Sequence, residues 1–226
     1  HYSSRRQRQM CIRDRNKSMK TEPIQTIAKN VFMYSADPLI YVVDDFLSSE
    51  ECQSFIDFSK DKLEDATVIN ESGSTMHKNR TNKNCFVKHD ATEIIHEVSK
   101  RFSILTKMSI RSAEDFQLVY YGVGKEYQAH FDSFDPESEA GKLHWNPGGQ
   151  RVLTVLAYLN DVEEGGETYF PKLDVGVKPI KGRAIVFENC LKDTNIIHPN
   201  SLHAGMPVKK GEKWAINLWF REGLRY

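Results

Sequence analysis

Residues 116–132 read FQLVYYGVGKEYQAHFD, and this stretch decides how the rest of the chain is read. Phe116–Tyr121 is dominated by β-branched and aromatic residues, which predicts a strand. Gly124 then marks a turn, and residues 126–132 predict a second strand. In that second strand His130 and Asp132 stand at i and i+2. Side chains alternate along a strand, so an imidazole and a carboxylate two positions apart leave from the same face.

The pattern repeats downstream. Runs of the same character occupy 151–159, 167–170, 175–180, 183–188, 201–208 and 213–220. Between them lie Pro147-Gly148-Gly149, Gly165-Gly166, Gly182 and Lys210-Gly211. Short strands with Gly-rich turns predict a mainly β fold, an antiparallel jelly roll. Upstream the character differs. LIYVVDDFL (39–47) predicts a strand, and Ser48 with Glu51 forms a capping-box signature. Cys52, Phe55, Ile56, Ser59 and Leu63 then recur at helical spacing, predicting a helix over Ser48–Leu63. The polar stretch 69–84 predicts a flexible loop. Asp90 is the expected cap of a second helix whose face is Ile94, Ile95, Val98, Phe102 and Leu105. Both N-terminal helices are expected to pack on one sheet.

Composition bounds the function. Lys plus Arg and Asp plus Glu number 31 each, so the formal charge is zero and the basic footprint of a nucleic-acid binder is missing. Residues 1–20 carry seven basic residues and one acid. With almost no apolar residues they cannot build a core, and a disordered or artefactual tail is expected, with Met19 as the candidate start. The rival reading is a basic tail that touches phosphate or an acidic partner. No run of 18 apolar residues encodes a membrane helix. Cys11, Cys52, Cys85 and Cys190 are scattered without a CxxC pair, which favours a reducing compartment such as the cytoplasm.

One imidazole and one carboxylate need a third ligand. His203 is the candidate, in another predicted strand 71 residues after Asp132. Two imidazoles and a carboxylate make the facial triad of Fe(II) oxygenases, leaving room for a bidentate 2-oxo acid and O₂. A Zn(II) hydrolase uses the same donor types and stays open as a rival, as does a non-catalytic jelly-roll binding module. His77, His89, His96, His144 and His198 are read as surface or loop histidines. Lys213 lies ten residues after His203 across the turn PVKKGE, so the two are expected on neighbouring antiparallel strands. There Lys213 would face the far carboxylate of a diacid. Fe(II), Asp132, 2-oxoglutarate and Lys213 then cancel in charge, as a buried site requires. Trp214 and Trp219 are assigned mainly to packing.

The runs QLVYYGVGKEYQAHFDSF, GGQRVLTVLAYLNDVEEGGETYFP, VKPIKGRAIVF and SLHAGMPVKKGEKWAINLWFRE resemble the catalytic domain of prolyl 4-hydroxylases of the 2-oxoglutarate/Fe(II) oxygenase superfamily. DPLIYVVDDFLSSEEC resembles the entry to that domain. The resemblance covers residues 38–221, read as one domain with its catalytic core at about 115–221. It implies a double-stranded β-helix, the jelly roll, with His130, Asp132 and His203 on iron. It also implies Lys213, Tyr121 and Thr168 on the distal carboxylate of 2-oxoglutarate, and Tyr127 and Arg151 along a peptide groove. The implied reaction consumes O₂ and 2-oxoglutarate, releases succinate and CO₂, and hydroxylates a C–H bond, with ascorbate as reductant. Peptidyl proline in a peptide or protein is the implied substrate; a sibling oxygenase acting on another residue or a small molecule is the alternative. The loop SFDPESEAGKLHWNPGG matches this family only loosely.

Overall fold

The computed structural model describes residues 19–66, 68–70, 73–75 and 80–226, the two short stretches by backbone alone. Strands β1 (Gln25–Ala28), β2 (Val31–Ala36) and β3 (Leu39–Val43) lead into helix α1 (Ser49–Ser59). Next come β4 (Glu64–Asp65), β5 (Val68–Asn70), β6 (Gly73–Thr75), β7 (Lys83–Val87) and helix α2 (Glu93–Thr106). The chain continues through β8 (Phe116–Tyr121), β9 (Tyr127–His130), helix α3 (Glu139–Trp145) and β10 (Arg151–Tyr158). The last strands are β11 (Glu164–Gly165), β12 (Thr168–Phe170), β13 (Val175–Val177), β14 (Ala184–Glu188), β15 (His203–Gly205), β16 (Val208–Lys210) and β17 (Lys213–Arg221).

Two sheets make the jelly roll. The larger runs β1-β2-β3-β14-β10-β17-β8-β7-β4, and the smaller runs β13-β12-β15-β9. The apolar runs of the central strands are nearly continuous because both faces of the large sheet are covered. In β10, Val155 and Ala157 face the helices and join a core with Cys52 and Phe55 of α1 and Ile95, Val98 and Phe102 of α2. Tyr158 faces the other way, into a second core with Phe170 and Val177 of the small sheet. β17 alternates likewise: Ile216, Leu218 and Phe220 lie under the helices, while Ala215 joins the inner core. Each large side chain such as Phe55 or Phe102, fully buried, contributes about 1.5–3 kcal/mol.

The capping box forms as expected: Ser48 accepts from the Glu51 amide, and the Glu51 carboxylate accepts from the Ser48 amide. The helix it opens ends at Ser59, short of Leu63. α2 is capped by Thr92 and not by Asp90, since the Thr92 hydroxyl accepts from Ile95 N. The glycines of the turns between strands, 124, 148, 149, 165, 166, 182 and 211, all take positive φ.

Three further expectations change. β1 and β2 form an antiparallel hairpin at the edge of the large sheet, ahead of the start expected at residue 38. Lys20 bridges Val175 in parallel, and Met19 lies against Gly176, so the tail expected over 1–20 is fastened to β13 at its last two residues. Residues 1–18 and His77 lie outside the described residues. The stretch 69–84, expected as a loop, contains the β5–β6 pair and the start of β7.

Candidate metal and cosubstrate site

Strand register brings the histidines together. His203 of β15 pairs directly with His130 of β9, so both rings project from one face of the small sheet. β9 ends at His130, and Asp132 lies in the bend that follows. Strand alternation therefore does not aim Asp132; the bend turns it back towards the two rings. Asp132 Oδ1 is 3.3 Å from His130 Nε2 and 3.5 Å from His203 Nε2. One donor atom from each of the three residues lies within 4.8 Å of the others.

The donor set fits a cation. His130 Nδ1 is 2.8 Å from the Gln128 carbonyl and His203 Nδ1 is 2.9 Å from the Ser201 carbonyl. A carbonyl only accepts, so each Nδ1 carries a proton, and Nε2, which faces Asp132, is the atom that a neutral ring would offer to a metal. Burial, reinforced by the neighbouring His203, holds His130 below its ordinary pKa. Burial alone would raise the Asp132 carboxyl, but the two imidazoles prevail and hold it well below the usual range. Burial also opposes charge on His203, and the Asp132 carboxylate more than offsets it, raising that imidazole. Two nitrogens and one carboxylate oxygen on one side of an ion suit Fe(II) with open positions opposite.

Lys213 enters from the other sheet. It pairs with Tyr121 across β17 and β8, so the two side chains share a face. It does not neighbour His203 on a paired strand, as the turn between them had suggested: β16 leaves to pair with β11, and β15 and β17 belong to different sheets. The two residues instead line one cavity between the sheets, together with His130, Asp132, Tyr121 and Thr168. Lys213 is 2% exposed, and its Nζ lies 4.9 Å from the Tyr121 ring centre and 5.4 Å from that of Tyr158. Burial pushes its ammonium down to about 8, with Glu167 pulling the other way. Among the described residues no carboxylate pairs with it, and a buried cation without a partner calls for an anion. Tyr121 is buried, which raises its hydroxyl and keeps it protonated as a donor. The Thr168 hydroxyl is 2.6 Å from that of Tyr158, which donates on to the Val177 carbonyl at 3.2 Å.

A cleft of about 740 Å³ opens over His130 and Asp132. Tyr127 lines it, stacked on His130 with ring centres 3.6 Å apart and the Arg80 guanidinium 4.5 Å from its own ring. Arg151 lines it too, lying 3.9 Å over Trp219, so that tryptophan forms cleft wall as well as packing. Glu114 grips Arg151 through two 2.7 Å bonds and Arg221 through one of 2.6 Å. The loop over 133–149 folds into α3, which sets Ala140 and His144 on the rim. His198 stays apart, bonded to Asp37 at 3.0 Å.

Several residues were missed in the sequence. Thr154 donates to Asp132 Oδ2 at 2.7 Å, and its signal was a hydroxyl in the middle of the apolar run RVLTVLAYL. Glu114, Tyr158 and Asn189 carried no comparable mark.

The family model described as the 2OG-Fe(II) oxygenase superfamily matches residues 116–221. Prolyl 4-hydroxylase 5 of Arabidopsis thaliana is 34% identical over 211 residues, covering 84% of this chain and 70% of its own length. Among solved structures, the viral collagen prolyl hydroxylase of Paramecium Bursaria Chlorella virus-1, in complex with 2-oxoglutarate, superposes with a TM-score of 0.64 at 30% identity. It covers 80% of this chain and 95% of that one. The likeness runs through both sheets and reaches upstream to the N-terminal elements, and on that extent the chain belongs to the prolyl 4-hydroxylases of the 2-oxoglutarate/Fe(II) oxygenase superfamily.

Proposed function

We propose that this dioxygenase hydroxylates peptidyl proline at C4. The observation that carries the reading is one cavity with two chemically distinct ends: His130, Asp132 and His203 at one, the unpaired Lys213 ammonium at the other. The three ligands would hold Fe(II) through Nε2, Oδ1 and Nε2. Lys213, with a donor from Tyr121 and one from Thr168 once Tyr158 turns its own proton from Val177 to the Thr168 hydroxyl, would hold the distal carboxylate of 2-oxoglutarate. What bound Fe(II) supplies is O₂ activation coupled to decarboxylation of 2-oxoglutarate to succinate and CO₂, with one oxygen atom left for the substrate. The chain's own residues orient and enclose. Tyr127 and Arg151 would flank a peptide in the cleft, and Trp219 beneath Arg151 would keep water from the reacting carbon. Ascorbate is proposed as the reductant that restores iron oxidised in turnover without substrate.

The test is Fe(II)-dependent succinate release, measured with and without proline-rich peptides, with the peptide mass followed. Release stimulated by the peptide, and a gain of one oxygen atom on proline, are expected. Succinate release that no proline peptide stimulates would leave the oxygenase and remove the substrate. A second reading, oxygenation of another residue or a small molecule, is favoured by the α3 rim, whose sequence departs from the family's pattern.

A further inference from the structure

Behind Asp132 lies a hydrogen-bond relay that has a direction. Asp132, Thr154 and Asn189 are 6%, 1% and 0% exposed. Thr154 Oγ1 is 2.7 Å from Asp132 Oδ2, and Asn189 Nδ2 is 2.8 Å from Thr154 Oγ1. The Thr154 hydroxyl has a single proton. An ionised carboxylate has none to give, so Thr154 donates to Asp132 and must accept from Asn189. That requirement turns the Asn189 amide nitrogen towards Thr154 and leaves its Oδ1 buried without a partner. A buried acceptor left bare is costly, and here the cost accompanies the correct direction of the relay.

The same residue stands behind a second ligand. The Asn189 carbonyl accepts from His198 N at 2.9 Å, and the Ser201 hydroxyl, which donates to the His198 carbonyl at 2.7 Å, lies 3.3 Å from it. Ser201 in turn offers its carbonyl to His203 Nδ1. Asn189 N donates to the Val152 carbonyl, locking the residue onto β10 two positions before Thr154.

We propose that Asn189, acting through Thr154, is a positioning residue for the metal centre. The relay occupies Asp132 Oδ2, so that only Oδ1 is offered to the ion and the carboxylate binds through one oxygen. That leaves coordination space for a chelating cosubstrate. The proposal rests on the metal reading of His130, Asp132 and His203, and goes beyond it by assigning a role to two residues outside the ligand set.

The test uses the full chain, anaerobic Fe(II) titration, and the ligand-field spectrum of bound Co(II). Thr154→Val keeps the side-chain shape and removes the donor. Asn189→Asp is nearly isosteric and replaces the donor by an acceptor, drawing the Thr154 proton away from Asp132. Both are expected to weaken Fe(II) binding by about 10–100-fold, the usual cost of losing a partner behind a ligand, and to change the Co(II) spectrum. Thr154→Ser keeps the hydroxyl and is expected to stay within about threefold of wild type, far from the loss expected of a broken relay. The double variant Thr154→Val/Asn189→Asp is expected to bind no more weakly than Thr154→Val alone. If Asn189→Asp does not fold, the contrast between Thr154→Val and Thr154→Ser carries the test, with apo melting curves verifying the fold. Thr154→Val that binds Fe(II) like wild type with an unchanged Co(II) spectrum overturns the relay and leaves the metal reading standing. Wild-type protein that binds no Fe(II), or binding undiminished in His203→Ala, overturns the metal reading and the relay with it.

Discussion

His130 and His203 stand directly opposite each other in the β9–β15 register, with ring centres 4.4 Å apart. Because the pair is fixed by backbone pairing, neither ring can be replaced by a neighbour. In His203→Ala the two remaining ligands should hold Fe(II) more than 100-fold less tightly, beyond the roughly 10–100-fold typical of an outer partner. Anaerobic Fe(II) titration and Fe(II)-dependent succinate release are the measurements. Retention of both would show that His203 is only a packed ring against Phe187.

Lys213 sets a pH dependence. Its ammonium is held down to about 8 in the fold, below the ordinary lysine value of 10.5. The unfolded chain therefore keeps the proton over a range where the folded chain has released it. Stability without cosubstrate should rise as pH climbs from about 8 towards 10.5. Affinity for 2-oxoglutarate should move the opposite way, falling as the ammonium is lost. In Lys213→Met the Lys213 share of both slopes should vanish, and the KM for 2-oxoglutarate should rise by an amount worth about 3–5 kcal/mol. Melting temperatures and KM measured across that pH range decide it.

Glu114 is a half-buried carboxylate, its side chain 12% exposed, shared by two guanidiniums. Burial would raise it, yet Arg151 and Arg221 hold it below its ordinary value. Arg221 also bonds the carbonyls of His144, Trp145, Pro147 and Gly149, so the ion pair anchors the loop that bears the cleft rim. Glu114→Gln should cost about 3–5 kcal/mol in urea unfolding, because two positive charges are left facing each other. The wild-type contribution should be complete above about pH 4.5, the ordinary glutamate value, and lost as pH falls through the depressed folded value. A variant with unchanged stability and no loss at low pH would show that the clamp contributes nothing net.

Gly165 has φ +81°, and a Cβ there would lie 2.3 Å from the Pro207 carbonyl oxygen. Gly165→Ala should destabilise by at least about 1–3 kcal/mol through backbone strain, with the clash added. It should also raise the KM for 2-oxoglutarate, since β11 and β16 lead to Thr168 and Lys213. Gly124→Ala is the control: φ is +78° with nothing within 4 Å, so only the left-handed penalty of about 1–2 kcal/mol applies. Equal effects at the two positions would refute the steric account.

The central strands, the two N-terminal helices and the cluster of His130, Asp132 and His203 were legible because each leaves a mark in residue type. β10 and β17 showed long apolar runs, and His130 and Asp132 stand two apart beside glycine turns. What was hidden depends on pairing. His203 and Lys213 looked like neighbours because a turn separates them, but the residues between cross from one sheet to the other. α3 was missed because the polar run SEAGKLHW has no apolar stripe to announce it. β1 was missed because all four of its residues are exposed. Asn189 matters only through an amide reaching Thr154 on the adjacent strand, a relation between residues 35 apart that no local pattern records.

The two ends of the cavity belong to different sheets: the imidazoles to the four-stranded one, the ammonium and Tyr121 to the nine-stranded one. A small diacid that gripped a cation at one end and Lys213 at the other would therefore act as a cross-brace, tying the halves of the sandwich where only side chains otherwise meet. Occupancy of the site and rigidity of the barrel would then rise together, and the cosubstrate would serve as a structural strut as well as a reagent.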